Sequence, residues 1–322
     1  MAKKKKLKLR KQVYYFLVFF ILLVVGGIYG YRTYQDYLYK QTLEYHIIEH
    51  GYSLEEAQFL QNTLSEEDIE SVLEREEKET ILSLMKEKYF LFKNLDEYLS
   101  YIEESEEDDL HEVVAIVNTH ASHKWYSLEL VTDNSLEKQM IVNKFYTLDA
   151  SYTPENLKSI SLSYAYGKEG DHHLIDYAYD QFMELWEAAH EAGYYLMVTS
   201  SYRTYQDQED IYNYRKNTQG EKKADQTAAR PGHSEHQTGL VVDMTSKNEP
   251  YAEEFTNSEA YQWLKENAYK YGWIERYPEG KTYLTGYSPE SWHWRYVGVD
   301  VAKTIHEEQI TFDEYYAYYI EK

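Results

Sequence analysis

Residues 230–246, RPGHSEHQTGLVVDMTS, set two histidines, a glutamate and an aspartate around glycines and a short apolar run. His293 lies 50 residues beyond Asp243, in the stretch PESWHWRYV at 289–297, which also holds Glu290 and Arg295. A third stretch, SSYRTYQDQ at 200–208, places Arg203 five residues before Gln208. The chain has no cysteine, so any metal must be held by imidazole and carboxylate.

The elements that must position these groups follow from local pattern. Gly239 breaks any helix, and Leu240 to Met244 is rich in β-formers, which places His236 on a loop and Asp243 on a strand. Successive strand side chains alternate faces, so Leu240, Val242 and Met244 share one face while Val241, Asp243 and Thr245 share the other. A carboxylate on an otherwise apolar strand requires a partner. Read the same way, Trp292, Trp294 and Tyr296 point to a packed face, and His293 and Arg295 point away from it. If the two strands run close together, His293 and Asp243 meet at one ion, with His236 arriving from the loop. Two imidazoles and one carboxylate leave a fourth position open, as in catalytic zinc. Glu290, three residues before His293, is placed to take a proton from the attacking water. Arg203, at the end of a strand expected over 195–199, offers a guanidinium for bidentate recognition of a carboxylate such as a peptide's free C-terminus. These parts together suggest removal of a C-terminal residue. The same reading makes His233 and Glu235 surface groups, His172 and His173 an exposed loop pair, Trp292 and Trp294 core, and Arg295 a possible structural ion-pair partner.

Around these stretches, short β-like runs are expected at 113–117, 126–131 and 140–142, and a helix at 176–192 carries Ala178, Phe182, Leu185, Trp186 and Ala189 on one stripe. Strands and helices mix without βαβ alternation or a phosphate-binding glycine loop, which indicates an α+β fold. Residues 33–109 read as helices, with capping patterns at Ser53/Glu56 and Ser65/Asp68. The acidic run EESEEDD at 103–109 marks a boundary, and YYAYY at 315–319 suits a docked C-terminal helix.

The first twelve residues hold seven Lys/Arg and no acid, and residues 13–31 are nineteen without a charge. Such a span crosses a ~30 Å hydrocarbon layer as a helix and exceeds the roughly 7–15 apolar residues of a signal peptide. Basic residues before it and none clustered after it place the N-terminus in the cytoplasm and the remainder outside the cell. The expected organisation is a cytoplasmic tail at 1–12, a single-pass transmembrane anchor at 13–31, an extracytoplasmic helical region or stalk at 32–110, and a zinc domain at 111–322. The net charge of −23 leaves about −30 beyond the basic tail, which argues against nucleic-acid partners. The missing cysteine argues against disulfides and a lipoprotein anchor.

As a set, SSYRTYQDQ, GHSEHQTGLVVD and ESWHWRYVG resemble the zinc D-alanyl-D-alanine carboxypeptidases of the VanY type, whose wider superfamily includes dipeptidases and L,D-carboxypeptidases. The resemblance covers about residues 111–310, with a weaker lead-in at Ile141 to Lys144 and Tyr152 to Pro154. It implies a small antiparallel sheet flanked by helices, one Zn2+ held by His236, Asp243 and His293, and Glu290 as catalytic base. It further implies Arg203 and Gln208 on the substrate's terminal carboxylate, with Ser234 and Ser200 lining the pocket. Val242 stands where the family commonly has a smaller residue, a departure that touches packing rather than chemistry. The implied substrate is a peptidoglycan stem peptide that loses its terminal D-Ala. The same site admits L,D-carboxypeptidase, dipeptidase or endopeptidase cleavage, and a non-catalytic wall-binding module is the rival from another class. The partner of the helical region is not indicated.

Overall fold

With no charge between residues 13 and 31, nothing interrupts the N-terminal helix, which runs from Lys11 to Tyr39 (α1) in the computed structural model. It is long and apolar enough to cross a membrane, a property that a signal sequence shares, and all of its side chains are exposed. The structure describes residues 11–105, 107–168 and 170–321, so most of the basic tail lies outside the described residues. These residues divide into two compact units, one ending at Lys86 and the other beginning at Glu87, ahead of the acidic run.

After α1, the first unit is a set of short helices between Leu43 and Leu84. Both halves of the capping box form, with Ser53 accepting from Glu56 N and the Glu56 carboxylate accepting from Ser53 N. Ser65 caps the next helix through Asp68 N. Ile47, Leu60, Ile69, Val72, Ile81 and Leu84 are buried, each contributing roughly 1.5–3 kcal/mol of apolar transfer.

The second unit is built on a four-stranded sheet of Leu196–Ser200 (β1), Val241–Ser246 (β2), Trp273–Glu275 (β3) and His293–Tyr296 (β4). Its spatial order is β1-β2-β4-β3 and every neighbouring pair is antiparallel. The alternation expected along β2 is present: Leu240, Val242 and Met244 are buried in one core with Trp294 and Tyr296. Against that face packs the helix Asp176–Glu191 (α3), which buries Ala178, Phe182, Leu185 and Ala189. Helices and an antiparallel sheet in one layered unit are the α+β architecture.

Some local expectations are corrected. Residues 113–117 are not a strand but lie in the helix Leu110–Asn118 (α2), opened by the Asp109 carboxylate on His111 N and Glu112 N. Every residue from Val113 to Asn118 is buried, so the run lacks polar alternation for the same reason a buried strand would, and the cap decides for helix. Of 126–131 only Leu130–Val131 is strand, paired in parallel with Tyr146–Thr147, and 140–142 is irregular although Met140 and Val142 enter the core. The tyrosine cluster falls in the helical end, Phe312–Tyr316 (α5) followed by a wider turn from Ala317 to Glu321.

Candidate metal centre and peptide pocket

Strand register brings the chemistry together. On β2 and β4, Asp243 stands directly opposite His293, Val242 opposite Trp294 and Val241 opposite Arg295. His236 comes from the tight turn Glu235–Thr238, which ends at Gly239 in the left-handed region with φ of 69°. The positive φ favours glycine, and a Cβ there would also press on the Pro154 and Leu157 side chains at 3.1 and 3.2 Å. On the other side, β1 and β2 lose one residue of register between Val198 and Ser200, leaving Ser200 opposite Asp243. Such a bulge re-aims side chains next to a site; here Ser200 Oγ accepts from Arg203 Nε at 3.2 Å.

One nitrogen of His236, one of His293 and one oxygen of Asp243 lie within 4.8 Å of one another. Asp243 Oδ1 is 3.1 Å from His293 Nδ1, and Asp243 Oδ2 is 3.3 Å from His236 Nε2. Yet Oδ1 is buried and has no hydrogen-bond partner, although the His293 imidazole is beside it. Two imidazole nitrogens and a carboxylate oxygen that converge on one space fit a cation between them, and this donor set suits zinc. The far edge of the His236 ring is held by a hydrogen bond, and that of His293 has a carboxylate beside it. His236 Nδ1 faces Ser201 O at 2.6 Å, and His293 Nε2 faces Glu235 Oε2 at 3.5 Å, which leaves His236 Nε2 and His293 Nδ1 turned to the shared space.

Electrostatics follow from burial and neighbours. Burial and the Arg203 charge push His236 down to about 4. Burial opposes charge on His293, but the Asp243 and Glu235 carboxylates outweigh it and raise the imidazole to about 9. Burial likewise opposes the Asp243 carboxylate, but His236 and His293 hold it well below the usual range. Glu290 is half-buried, and the loss of water around it pushes it up to about 7, with Asp243 adding to the effect and His293 and Arg203 opposing it. A base poised there is half ionised near neutral pH. It sits in the turn that leads into β4, with His293 N donating to Glu290 O, and its Oε2 is 3.6 Å from His293 Nδ1.

These groups open on a cavity of about 340 Å³ lined by Arg203, Gln208, Ser234, His236, Asp243, Glu290 and His293, among others. Ser200 reaches it only through Arg203. Arg203 Nη1 donates to Gln208 Oε1 at 2.6 Å and Nη2 to Asp243 Oδ2 at 3.4 Å, while Gln208 Nε2 donates to Ala229 O. Gln208 is on the helix Tyr205–Gln219 (α4), whose Thr204 cap fixes its start just after Arg203.

Three sequence readings are corrected at the site. Glu235 is not a surface group: it is 2% exposed and paired with Arg276 Nε at 2.9 Å and Arg295 Nη1 at 3.2 Å. Trp292 is half-buried and lines the cavity rather than the core, whereas Trp294 is core. His172 is buried, with Nε2 facing Tyr166 O at 2.6 Å, and His173 lies in a short strand, so neither belongs to an exposed loop. His233 is also partly buried, with Nδ1 facing Asn143 O at 2.8 Å. Tyr277 was missed; it lines the cavity with its ring 4.9 Å from that of His293.

The profile of the family described as VanY: D-alanyl-D-alanine carboxypeptidase matches residues 171–299. A D-alanyl-D-alanine carboxypeptidase of Enterococcus faecalis is 35% identical over 185 residues, 55% of this chain and 64% of the relative. The bifunctional D-Ala-D-Ala dipeptidase and D-Ala-D-Ala carboxypeptidase VanXYC of Enterococcus gallinarum is 35% identical over 127 residues, 38% of this chain and 67% of the relative. The solved structure of the LdcB LD-carboxypeptidase is 35% identical with a TM-score of 0.56, covering 58% of this chain and 89% of that one. The chain belongs to the VanY family. It spans about two thirds of the length of the curated relatives it matches. The match to the family profile lies inside the second unit and takes in every residue from Ser200 to His293 discussed above.

Proposed function

We propose that the protein is a membrane-anchored zinc D,D-carboxypeptidase that removes the terminal D-Ala from peptidoglycan stem peptides outside the cell. The observation that carries this reading is the juxtaposition of a three-donor cluster, a half-buried carboxyl shifted toward neutrality and a guanidinium in one cavity. His236, Asp243 and His293 would hold one Zn2+ ion, and α1 would be the anchor. Zinc, when bound, supplies Lewis acidity that polarises the scissile carbonyl and acidifies the attacking water.

The chain's own residues do the rest. Arg203, braced by Ser200 and Gln208, takes the substrate's terminal carboxylate and so fixes which peptide bond meets the donor cluster. Ser234 lines the pocket beside it. Glu290 accepts the proton of the attacking water and passes it to the departing amine, a role suited to a carboxyl that exchanges protons near pH 7. The walls made by Tyr277, Tyr287 and Trp292 limit water around the reacting atoms.

The likeness to the LdcB LD-carboxypeptidase supports a second reading of the same site, cleavage of the L,D bond in tetrapeptides. Zinc-loaded protein and its Glu290→Ala variant are incubated with penta- and tetrapeptide muropeptides, and the products are read by mass spectrometry. Loss of D-Ala from the pentapeptide by wild type alone supports the D,D reading, and loss from the tetrapeptide supports the L,D reading. If wild type and variant both leave the two substrates intact while binding zinc, the protein is a wall-binding module.

A further inference from the structure

Arg215 lies on α4 seven residues beyond Gln208 and four beyond Ile211, so the three share one face of that helix, and all three line the cavity. Arg203 gives three of its five N–H groups to Ser200, Gln208 and Asp243 and keeps two for a ligand, whereas Arg215 gives none to a protein group. Among the described residues its guanidinium makes no hydrogen bond or ion pair. It is half-buried, and its charge is felt by both Glu290 and Arg203. It also borders the open groove that continues from the cavity past Asp210, Tyr214 and Gln219. In a chain with a net charge of −23, a cation left without a partner at the mouth of a pocket is free to pair with something that enters.

We propose that Arg215 forms a second carboxylate subsite, one that selects peptides bearing a free side-chain carboxylate on the third residue from their C-terminus. This rests on the carboxypeptidase reading, in which the terminal carboxylate sits at Arg203 and Gln208. Seven helical residues advance about 10 Å. An extended peptide covers roughly 3.3 Å per residue, so a substrate running along α4 from Gln208 brings its third residue level with Arg215. A carboxylate there gains a charge-assisted pair with a planar donor fork, a carboxamide offers only a neutral oxygen, and an amine is repelled.

The test uses the zinc-loaded full chain and two synthetic peptides that differ only in carboxylate or carboxamide on that side chain. Wild type is expected to favour the carboxylate peptide about tenfold in kcat/KM, a preference that shrinks with added salt. Arg215→Gln should bring the ratio to near one, Arg215→Lys should keep part of it, and Arg215→Glu should reverse it. A ratio unchanged in Arg215→Gln and Arg215→Glu overturns the subsite. So does an equal fall on both peptides with a shifted pH profile, which would make Arg215 a modulator of Glu290 instead. If wild type cleaves neither peptide, the carboxypeptidase reading fails separately, and the dissociation constants of the two peptides, measured calorimetrically, still decide the subsite.

Discussion

Two groups of buried charges sit side by side in the second unit and differ in what they leave unmade. In one, Arg276 donates through Nε to Glu235 and through Nη1 and Nη2 to Asp313, whose Oδ1 also accepts from Asn143. All three charged side chains are at most 3% exposed, and none of them lines the cavity except Glu235. In the other, Asp243, His236, His293 and Glu290 face that cavity, and Asp243 Oδ1 has no hydrogen-bond partner, nor has the Glu235 oxygen that turns away from Arg276 toward His293. Burying charge is costly unless it is paired, so a closed network holds structure and an open one awaits a ligand. Glu235 belongs to both, with one oxygen toward Arg276 and the other toward His293.

The comparison breaks first at Glu290. Glu290→Ala should lower kcat by about 10²- to 10⁴-fold while zinc content measured by atomic absorption stays at one per chain; a drop of less than tenfold would remove Glu290 from the chemistry. Next comes the closed group, where Asp313→Asn removes one of the two carboxylates that pair with the buried Arg276 guanidinium and should cost about 3 kcal/mol in urea unfolding. Zinc affinity of the protein that remains folded should move far less than stability does. Equal losses in both would merge the two groups into one. Glu235→Gln tests the residue they share: zinc affinity, read by chelator competition, should fall about 10–100-fold because His293 loses the group that orients it.

The smallest effect belongs to a third buried charge, Lys144, whose ammonium meets the Asp225 carbonyl and the rings of Tyr287 and Tyr126 at 4.2 and 5.3 Å. Burial pushes it down to about 8, with Asp225 opposing. Its unfolded value is about 10.4, so between these two the unfolded chain binds more protons and stability rises with pH. Below about 8 both states carry the charge and the full destabilisation is present. Compared with Lys144→Met, wild type should gain on the order of 1–2 kcal/mol between pH 8 and 10.5 in thermal or urea unfolding. A flat difference would mean that carbonyl and rings satisfy the ammonium as well as a carboxylate does.

Much of the site was legible because its parts obey short-range rules. Period-two alternation placed Asp243 and His293 opposite the apolar face, and a glycine after His236 marked the turn that delivers the second imidazole. Glu235 was not legible. Its partner Arg276 lies 41 residues away, and that arginine's other partner, Asp313, another 37 further on. Nothing in the run SEHQTG distinguishes a solvated glutamate from one enclosed by two guanidinium groups. The misread run at 113–117 fails for a related reason, since β-branched residues buried on all sides carry no period.

By itself the sequence determined the donor types, the face each occupies, the α+β class and the long apolar N-terminal helix, because propensity, periodicity and capping act within a few residues. Only tertiary structure decided that β2 and β4 are neighbours in a register that opposes Asp243 to His293, that a bulge turns Ser200 onto Arg203, and that Glu235 is buried. Those outcomes depend on which distant segments pack together and on how much water they exclude, and the same packing sets the protonation of Glu290 and His236.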